Sequence, residues 1–365
     1  MRARVALTIA ATALAAASFA ANPLAAQSEV RITGAGATFP YPIYSKWVLE
    51  YTKTRPNIEI NYQSIGSGGG IRQFIDRTVD FGATDGPMAD SQITSIGGNV
   101  LHIPTVLGAV APVYNLPGLT QQLRFTPDIL AGIFLGQITK WNDSRIAAAN
   151  PGVQLPNNDV VVVHRSDGSG TTFILTDYLA KVSSDWLRRV GRGTAVNWPV
   201  GLGGRGNEGV ATTVRRTPGA VGYVELVYAL QNRIPYGLVR NRSGQFVDAT
   251  LQSTTAAAAA AVADLAADTD FRVSITDAAG AEAYPIASFT WILLPKQMTD
   301  LARARALLEF LWWATHDAQR FATALGYAPL PARVVQLVEA RLKAVTVAGR
   351  PVLPAGYAPA GGTRR

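Results

Sequence analysis

The chain contains no cysteine. That excludes disulfides, cysteine-ligated zinc, thiol catalysis and a lipid anchor on an N-terminal cysteine. Histidine is nearly as scarce: His102, His164 and His316 are the full set, and they are not spaced as a metal cluster. Charged residues make up 16% of the chain and form no dense Lys/Arg run, so there is no basic footprint for nucleic acid. No G-x-x-x-x-G-K-[ST] occurs, which argues against a P-loop nucleotide site. Gly168-Ser169-Gly170 lacks the G-x-S-x-G spacing of a hydrolase nucleophile. Beyond the N-terminal segment no run could span a bilayer. The alanine run from Ala256 to Ala261 leads into Asp264 and Asp268 and reads as a soluble helix. No repeat of solenoid period is visible.

What is present is ample core material. The chain has 365 residues, 48% of them apolar, with a formal charge of +8. That length suits two domains. The basic Met1-Arg2-Ala3-Arg4, the uncharged run from Val5 to Ala21, and the small-residue sites Ser18-Phe19-Ala20 and Leu24-Ala25-Ala26 read together as a secretory signal peptide over 1–26. A membrane anchor is the alternative, disfavoured by the weak hydrophobicity of the run.

The chain is organised around Arg165-Ser166-Asp167-Gly168-Ser169-Gly170-Thr171-Thr172. An apolar run, 160–163, precedes it as a strand. A stripe at Ile174, Tyr178 and Val182 follows it as a helix over 173–182. Glycines permit close approach, hydroxyls cap, and the first helical N–H groups lack internal partners at the positive end of the dipole. This is an anion cradle in outline, although an ordinary capped turn has the same composition. The pattern occurs twice more. Strand 29–33, loop Gly34-Ala35-Gly36-Ala37-Thr38-Phe39-Pro40 and a helix carrying Ile43, Trp47 and Tyr51 form one unit. Strand 58–62, loop Gly66-Ser67-Gly68-Gly69-Gly70 and a helix with Ile71, Ile75 and Val79 on one stripe form another. Asp85 follows a strand at 80–83 and sits at its carboxyl end, where open α/β sheets bind ligands. A turn role before Gly86-Pro87 is the alternative. Gly201-Leu202-Gly203-Gly204-Arg205-Gly206 matches G-x-G-x-x-G but follows no clear strand, so it reads as a turn before a helix near 207–215. An extended run at 102–115 is long enough to cross between domains, and a late strand at 288–294, after Tyr284-Pro285, reads as the chain returning to the first domain. Helices are expected over 301–325 and 331–345.

Taken together these segments resemble the PstS family, the periplasmic phosphate-binding proteins of the phosphate-specific ABC transporter. The resemblance spans nearly the whole chain. It rests on the three glycine loops, Val79-Asp80-Phe81-Gly82-Ala83-Thr84-Asp85, Trp198-Pro199-Val200-Gly201-Leu202-Gly203-Gly204 and Pro218-Gly219-Ala220-Val221-Gly222-Tyr223. It implies an α/β, two-domain periplasmic-binding-protein fold with two crossovers and an interdomain cleft. The expected division is 27–107 plus 285–350, then 108–284, with a disordered tail over 351–365. It implies phosphate contacts from Thr38, Phe39, Ser67, Asp85, Arg165, Ser169, Gly170 and Thr171, with Asp167 holding Arg165. It further implies a monomer without cofactor, without catalysis, and with permease and ATPase subunits as partners. Gly68, Thr84 and His164 depart from the common family pattern, and none removes a named contact.

Those residues suit phosphate. A dehydrated anion needs its oxygens satisfied, and helix N-termini supply donors without crowding cations. A carboxylate beside an anion makes sense only if the ligand brings a proton. Phosphate does at neutral pH and sulfate does not. Asp85 is therefore expected to discriminate between them. The alternatives are a receptor for another oxyanion, an adhesion or scavenging role outside the cell, or a secreted phosphatase-like enzyme with Ser169 or Ser67 as nucleophile. His164 reads as a packing or surface residue.

Overall fold

The computed structural model describes residues 29–262 and 265–358. The leader expected over 1–26 and the last residues of the tail, 359–365, lie outside the described residues.

Strand β1 (Val30–Gly36) is followed by α1 (Tyr41–Thr54), β2 (Ile58–Ser64), α2 (Ser67–Ile75) and β3 (Phe81–Thr84). β1 pairs in parallel with β2 on one side and β3 on the other. Strand β4 (Leu101–Tyr114) is buried at every position, as its unbroken apolar run requires. The second half repeats the pattern: β5 (Val161–Arg165), α3 (Gly170–Val182), β6 (Leu202–Gly204), α4 (Gly206–Arg216) and β7 (Ala220–Glu225). Here β5 is the central strand, parallel to both β6 and β7. Helix α5 (Leu251–Val262) and strand β8 (Ala287–Leu294) follow, and α6 (Leu301–Thr315) and α7 (Ala332–Lys343) close the chain.

These strands form one curled, mixed, eight-stranded sheet in the order β2-β1-β3-β8-β4-β7-β5-β6. Each half is a lobe with its first strand in the middle and an antiparallel strand beyond its third. β4 joins the lobes. Its first part, to Ala109, pairs with β8, and the remainder from Val110 pairs with β7. Helices cover both faces by burying aromatic anchors. Trp47 of α1 is fully buried and donates its indole N–H to the Ala318 carbonyl at 3.0 Å.

Pairing of β4 with β8 shifts register between Thr290 and Trp291, so that Thr105 is the extra residue. Pro104 has no N–H to give to the ladder, which is the usual setting for a bulge. The Thr105 hydroxyl donates to the Thr290 carbonyl at 3.2 Å. The bulge lies directly behind the site.

Four local expectations need correction. The helix expected over 301–325 stops at Thr315. The Gln319 amide caps its end by donating to Ala314 O at 2.8 Å, and the chain continues as a 3-10 turn at Asp317–Gln319 and a short α-helix at Arg320–Ala324. α2 ends at Ile75 because Arg77 adopts a left-handed backbone (φ 56°), so Val79 lies off its stripe. Gly201 to Gly206 is not merely a turn. Leu202–Gly204 is an edge strand and α4 starts at Gly206, giving a fourth strand–glycine loop–helix unit. Finally, the tail expected to be disordered from 351 is folded at its start. Arg350–Pro351 pairs with Thr346–Val347, Leu353 is buried, and the Tyr357 ring packs edge-on to Trp312 at 5.1 Å.

Candidate functional site

All four strand-to-helix turns open at the carboxyl ends of their strands, and because the parallel strands of the two lobes run in opposite directions these ends face each other across the middle of β4. The N-termini of α1, α2, α3 and α4 therefore converge there.

From the first lobe come Thr38 and Phe39 in the β1–α1 turn. Thr38 is buried, and the N–H groups of both residues donate to no protein acceptor among the described residues. The turn is pinned from behind: the Tyr327 hydroxyl donates to Phe39 O at 2.6 Å and the Tyr228 hydroxyl to Thr38 O at 2.5 Å. Ser67 opens α2. Its Oγ accepts the N–H of Asp85 at 3.2 Å and that of Gly170 at 3.0 Å, so both lone pairs are taken and its own proton is free to donate. That proton faces Asp85 Oδ2 at 3.5 Å. Asp85, one residue beyond β3, is 1% exposed. Its Oδ1 accepts the Thr290 hydroxyl at 2.7 Å, from the bulge between β4 and β8. Burial pushes the Asp85 carboxyl up to about 7, against the opposing pull of Thr290, Arg165 and Ser67.

From the second lobe comes Arg165, the last residue of β5. It is buried, and Asp167 grips it in a two-point fork through Nε (2.7 Å) and Nη2. Burial works to raise the Asp167 carboxyl, yet Arg165 and the Gly206 N–H at 3.0 Å hold it below the usual carboxylate range. Arg165 Nη1 also reaches Thr171 Oγ1 at 3.4 Å. Ser169 caps α3, its Oγ accepting from Thr172 N at 3.0 Å. The lobes touch at glycines: Gly68 N donates to Gly168 O at 2.9 Å. A methyl group on Gly170 would lie 2.5 Å from Asp85 Cβ and 2.6 Å from its N and Oδ2. Only a residue without Cβ permits that approach.

The structure thus brings Thr38, Phe39, Ser67, Asp85, Arg165, Ser169, Gly170 and Thr171 to one place, with Asp167 on Arg165. One expectation differs in detail: the Gly170 N–H is engaged by Ser67 Oγ. The histidines lie elsewhere in role. His164 stacks on Trp198 at 4.9 Å, His316 stacks on Trp312 at 4.8 Å, and His102 is buried between Asp270 and the Met88 N–H. Among the described residues no group of His, Asp and Glu could hold a metal ion.

Sequence reasoning missed three residues. Asn207 is fully buried, and its amide reaches Thr38 Oγ1 (2.7 Å) and Thr171 Oγ1 (3.1 Å), one in each lobe. A signal existed: Asn207 directly follows a fourth glycine loop, Gly201 to Gly206. Thr290 lies inside an extended run, and the bulge that aims it at Asp85 depends on pairing near Pro104. Tyr228 carried no local signal.

Two α/β lobes joined through crossing strands, with four helix N-termini aimed at a buried carboxylate and a buried arginine, define the periplasmic-binding-protein class. The model of the PBP superfamily domain matches residues 20–318. The phosphate-binding protein PstS of Xylella fastidiosa is 48% identical over 320 residues, covering 87% of this chain and 86% of its own. That of Pasteurella multocida is 45% identical, covering 89% and 93%. A phosphate-binding protein structure from Stenotrophomonas maltophilia superposes with a TM-score of 0.66 at 19% identity, covering 85% of this chain and 93% of that one, which shows a shared fold. The chain belongs to the PstS family of phosphate-binding proteins.

Proposed function

We propose that this protein binds inorganic phosphate between its lobes and delivers it to the permease and ATPase subunits of an ABC importer, acting as a monomer in the periplasm after removal of the 1–26 leader. The lobes are 27–107 with 285–350, and 108–284. They close over the anion through β4 and β8. Among the described residues no helix is long and apolar enough to cross a membrane.

The observation that carries the reading is the company Asp85 keeps. A buried carboxyl stands within one ring of donors: the hydroxyls of Thr38, Ser67, Ser169 and Thr171, the N–H groups of Thr38 and Phe39, and the Arg165 guanidinium. Such a ring satisfies a dehydrated tetrahedral anion. The one acceptor in it rewards an anion that still carries a proton. The enzyme reading finds no support here. Ser169 Oγ accepts a backbone N–H, Ser67 Oγ accepts two and meets only Asp85 at 3.5 Å, and the three histidines are engaged elsewhere. The residues named by the resemblance take these roles: Thr38, Phe39, Ser67, Arg165, Ser169 and Thr171 donate, Gly170 closes the other side with its N–H on Ser67 Oγ, Asp85 accepts, and Asp167 holds Arg165.

Calorimetric titration of refolded, phosphate-free protein tests this reading. Tight binding of phosphate with silent sulfate is expected at neutral pH. Equal binding of the two overturns the role of Asp85, and binding of neither overturns the receptor.

A further inference from the structure

Asn207 is the second residue of α4 and is fully buried. Its orientation is fixed by chemistry. The backbone N–H of Glu225 needs an acceptor, and Asn207 Oδ1 supplies it at 2.9 Å. The amide NH2 must then point the other way, where it meets the hydroxyl oxygens of Thr38 at 2.7 Å and Thr171 at 3.1 Å.

A threonine hydroxyl has two lone pairs and one proton. Thr38 Oγ1 accepts from Asn207 Nδ2 and also from the Asn207 backbone N–H at 3.2 Å. Thr171 Oγ1 accepts from Asn207 Nδ2 and from Arg165 Nη1 at 3.4 Å. Both lone pairs of each oxygen are therefore occupied. What remains is one O–H on each side of the cleft, able only to donate.

We propose that Asn207 is a specificity-determining residue of the anion site: by occupying the lone pairs of Thr38 and Thr171 it makes both hydroxyls obligate donors to the bound anion and couples the two lobes through a single amide. The inference rests on the phosphate reading given above. It explains why an amide occupies this position. A carboxylate there would accept the hydroxyl protons and turn both threonines away from the ligand. An apolar residue would leave them free to rotate.

Asn207→Asp is the sharpest variant. It keeps an oxygen for the Glu225 N–H and changes only the NH2. Phosphate-free wild type, Asn207→Asp, Asn207→Ala, Thr38→Val and the Asn207→Ala/Thr38→Val double variant are titrated with inorganic phosphate, with thermal melts as a check on folding. Asn207→Asp is expected to lose affinity by about 100-fold or more, since two charge-assisted donors are lost and a like charge is added. Asn207→Ala is expected to lose about 10-fold, and much less than that when Thr38 is already valine. If Asn207→Asp does not fold, the cycle through Asn207→Ala and Thr38→Val decides. Wild-type binding with unchanged affinity in Asn207→Asp overturns the inference alone, as do fully additive losses in the cycle. Wild type that binds no phosphate overturns the receptor reading as well.

Discussion

The two lobes share one topology and divide the chemistry. In each, the first strand is central, two turns present helix N-termini, and a buried acid stands at the end of the third strand. It is Asp85 after β3 and Glu225 closing β7. Burial pushes both carboxyls up. Their surroundings differ. Asp85 faces Ser67, Thr290 and, across the lobe boundary, Gly170. Glu225 lies beside Tyr327 of the other lobe rather than among the hydroxyls of the donor ring. It caps the helix Leu226–Asn232 by accepting the Val227 N–H at 2.8 Å, while its backbone N–H anchors Asn207. The same topological position thus places one acid among the hydroxyls of the cleft and makes the other a helix cap. What the carboxyl faces decides its task.

The largest effect expected from breaking this comparison is on Asp85. Asp85→Asn replaces the acceptor with an amide that can donate. The advantage of phosphate over sulfate should shrink by about 100-fold or more, because sulfate no longer meets an unpaired carboxylate. Competition between the two anions on the refolded protein measures it, and undiminished selectivity would remove Asp85 from the specificity argument.

Next comes the contact that lets the lobes meet. Gly170→Ala puts a methyl group into Asp85, while alanine suits the first turn of α3 better than glycine does. Forced overlap of this kind costs about 1–3 kcal/mol, so phosphate affinity should fall roughly 10- to 100-fold with no loss of helix. Retained affinity in Gly170→Ala would show that the lobes need not approach this closely in the bound state.

Acidification should act on Asp85 in the same direction as its substitution, but more gently. Its carboxyl is lifted from the ordinary 3.8 to about 7, so the ionised acceptor is present above that value and is lost as pH falls through it. Selectivity against sulfate should decline below neutrality, by at most about 10-fold per pH unit. Stability of the ligand-free protein runs the other way. Between about 4 and about 7 the unfolded chain binds fewer protons at this group than the folded chain does, so this contribution to stability falls as pH rises. Melting temperatures of wild type and Asp85→Asn should therefore diverge between pH 5 and pH 8, with the variant relatively more stable at pH 8. Parallel curves would mean that the carboxyl is not held at this elevated value.

Much of this organisation was legible in the sequence, for identifiable reasons. Glycine loops between apolar strands and amphipathic helices are local signals. Thr38, Ser67, Arg165 and Ser169–Thr171 lie on such loops and could be read directly. Asp85 was readable because it ends a short strand. The fold class came from the family resemblance that these units carry, and the apolar run at 102–115, which agreed with its crossovers, is strand β4. What could not be read depends on distant partners. Thr290 reaches Asp85 because Pro104, almost two hundred positions earlier, bulges the ladder. The stretch after α5 carries little periodicity. It is held by side-chain contacts instead, with Ser274 and Thr276 donating to buried Asp177 of α3. The break after Thr315 depends on Gln319 reaching back to Ala314 while also binding Thr105 O of β4. The folded start of the tail depends on pairing with Thr346–Val347. None of these is encoded in a window of neighbouring residues.

The smallest expected effect completes the comparison. Burial holds the Glu225 carboxyl well above its ordinary range, which favours the neutral form, the one closest to an amide in shape and hydrogen-bonding capacity. Glu225→Gln keeps one oxygen for the Val227 N–H and leaves the backbone N–H on Asn207 unchanged. Phosphate affinity should stay within about 2-fold of wild type, and melting temperature should shift little, because the amide keeps both contacts and matches the form that burial favours. The Asp85 substitution is equally conservative on paper, yet it should abolish most discrimination. Two carboxyl-to-amide changes at matched positions, one severe for selectivity and one nearly silent, would establish that facing rather than topology assigns the function. If Glu225→Gln weakened phosphate as strongly as a cleft substitution does, the second acid would also belong to the binding machinery, and the division of labour between the lobes would have to be redrawn.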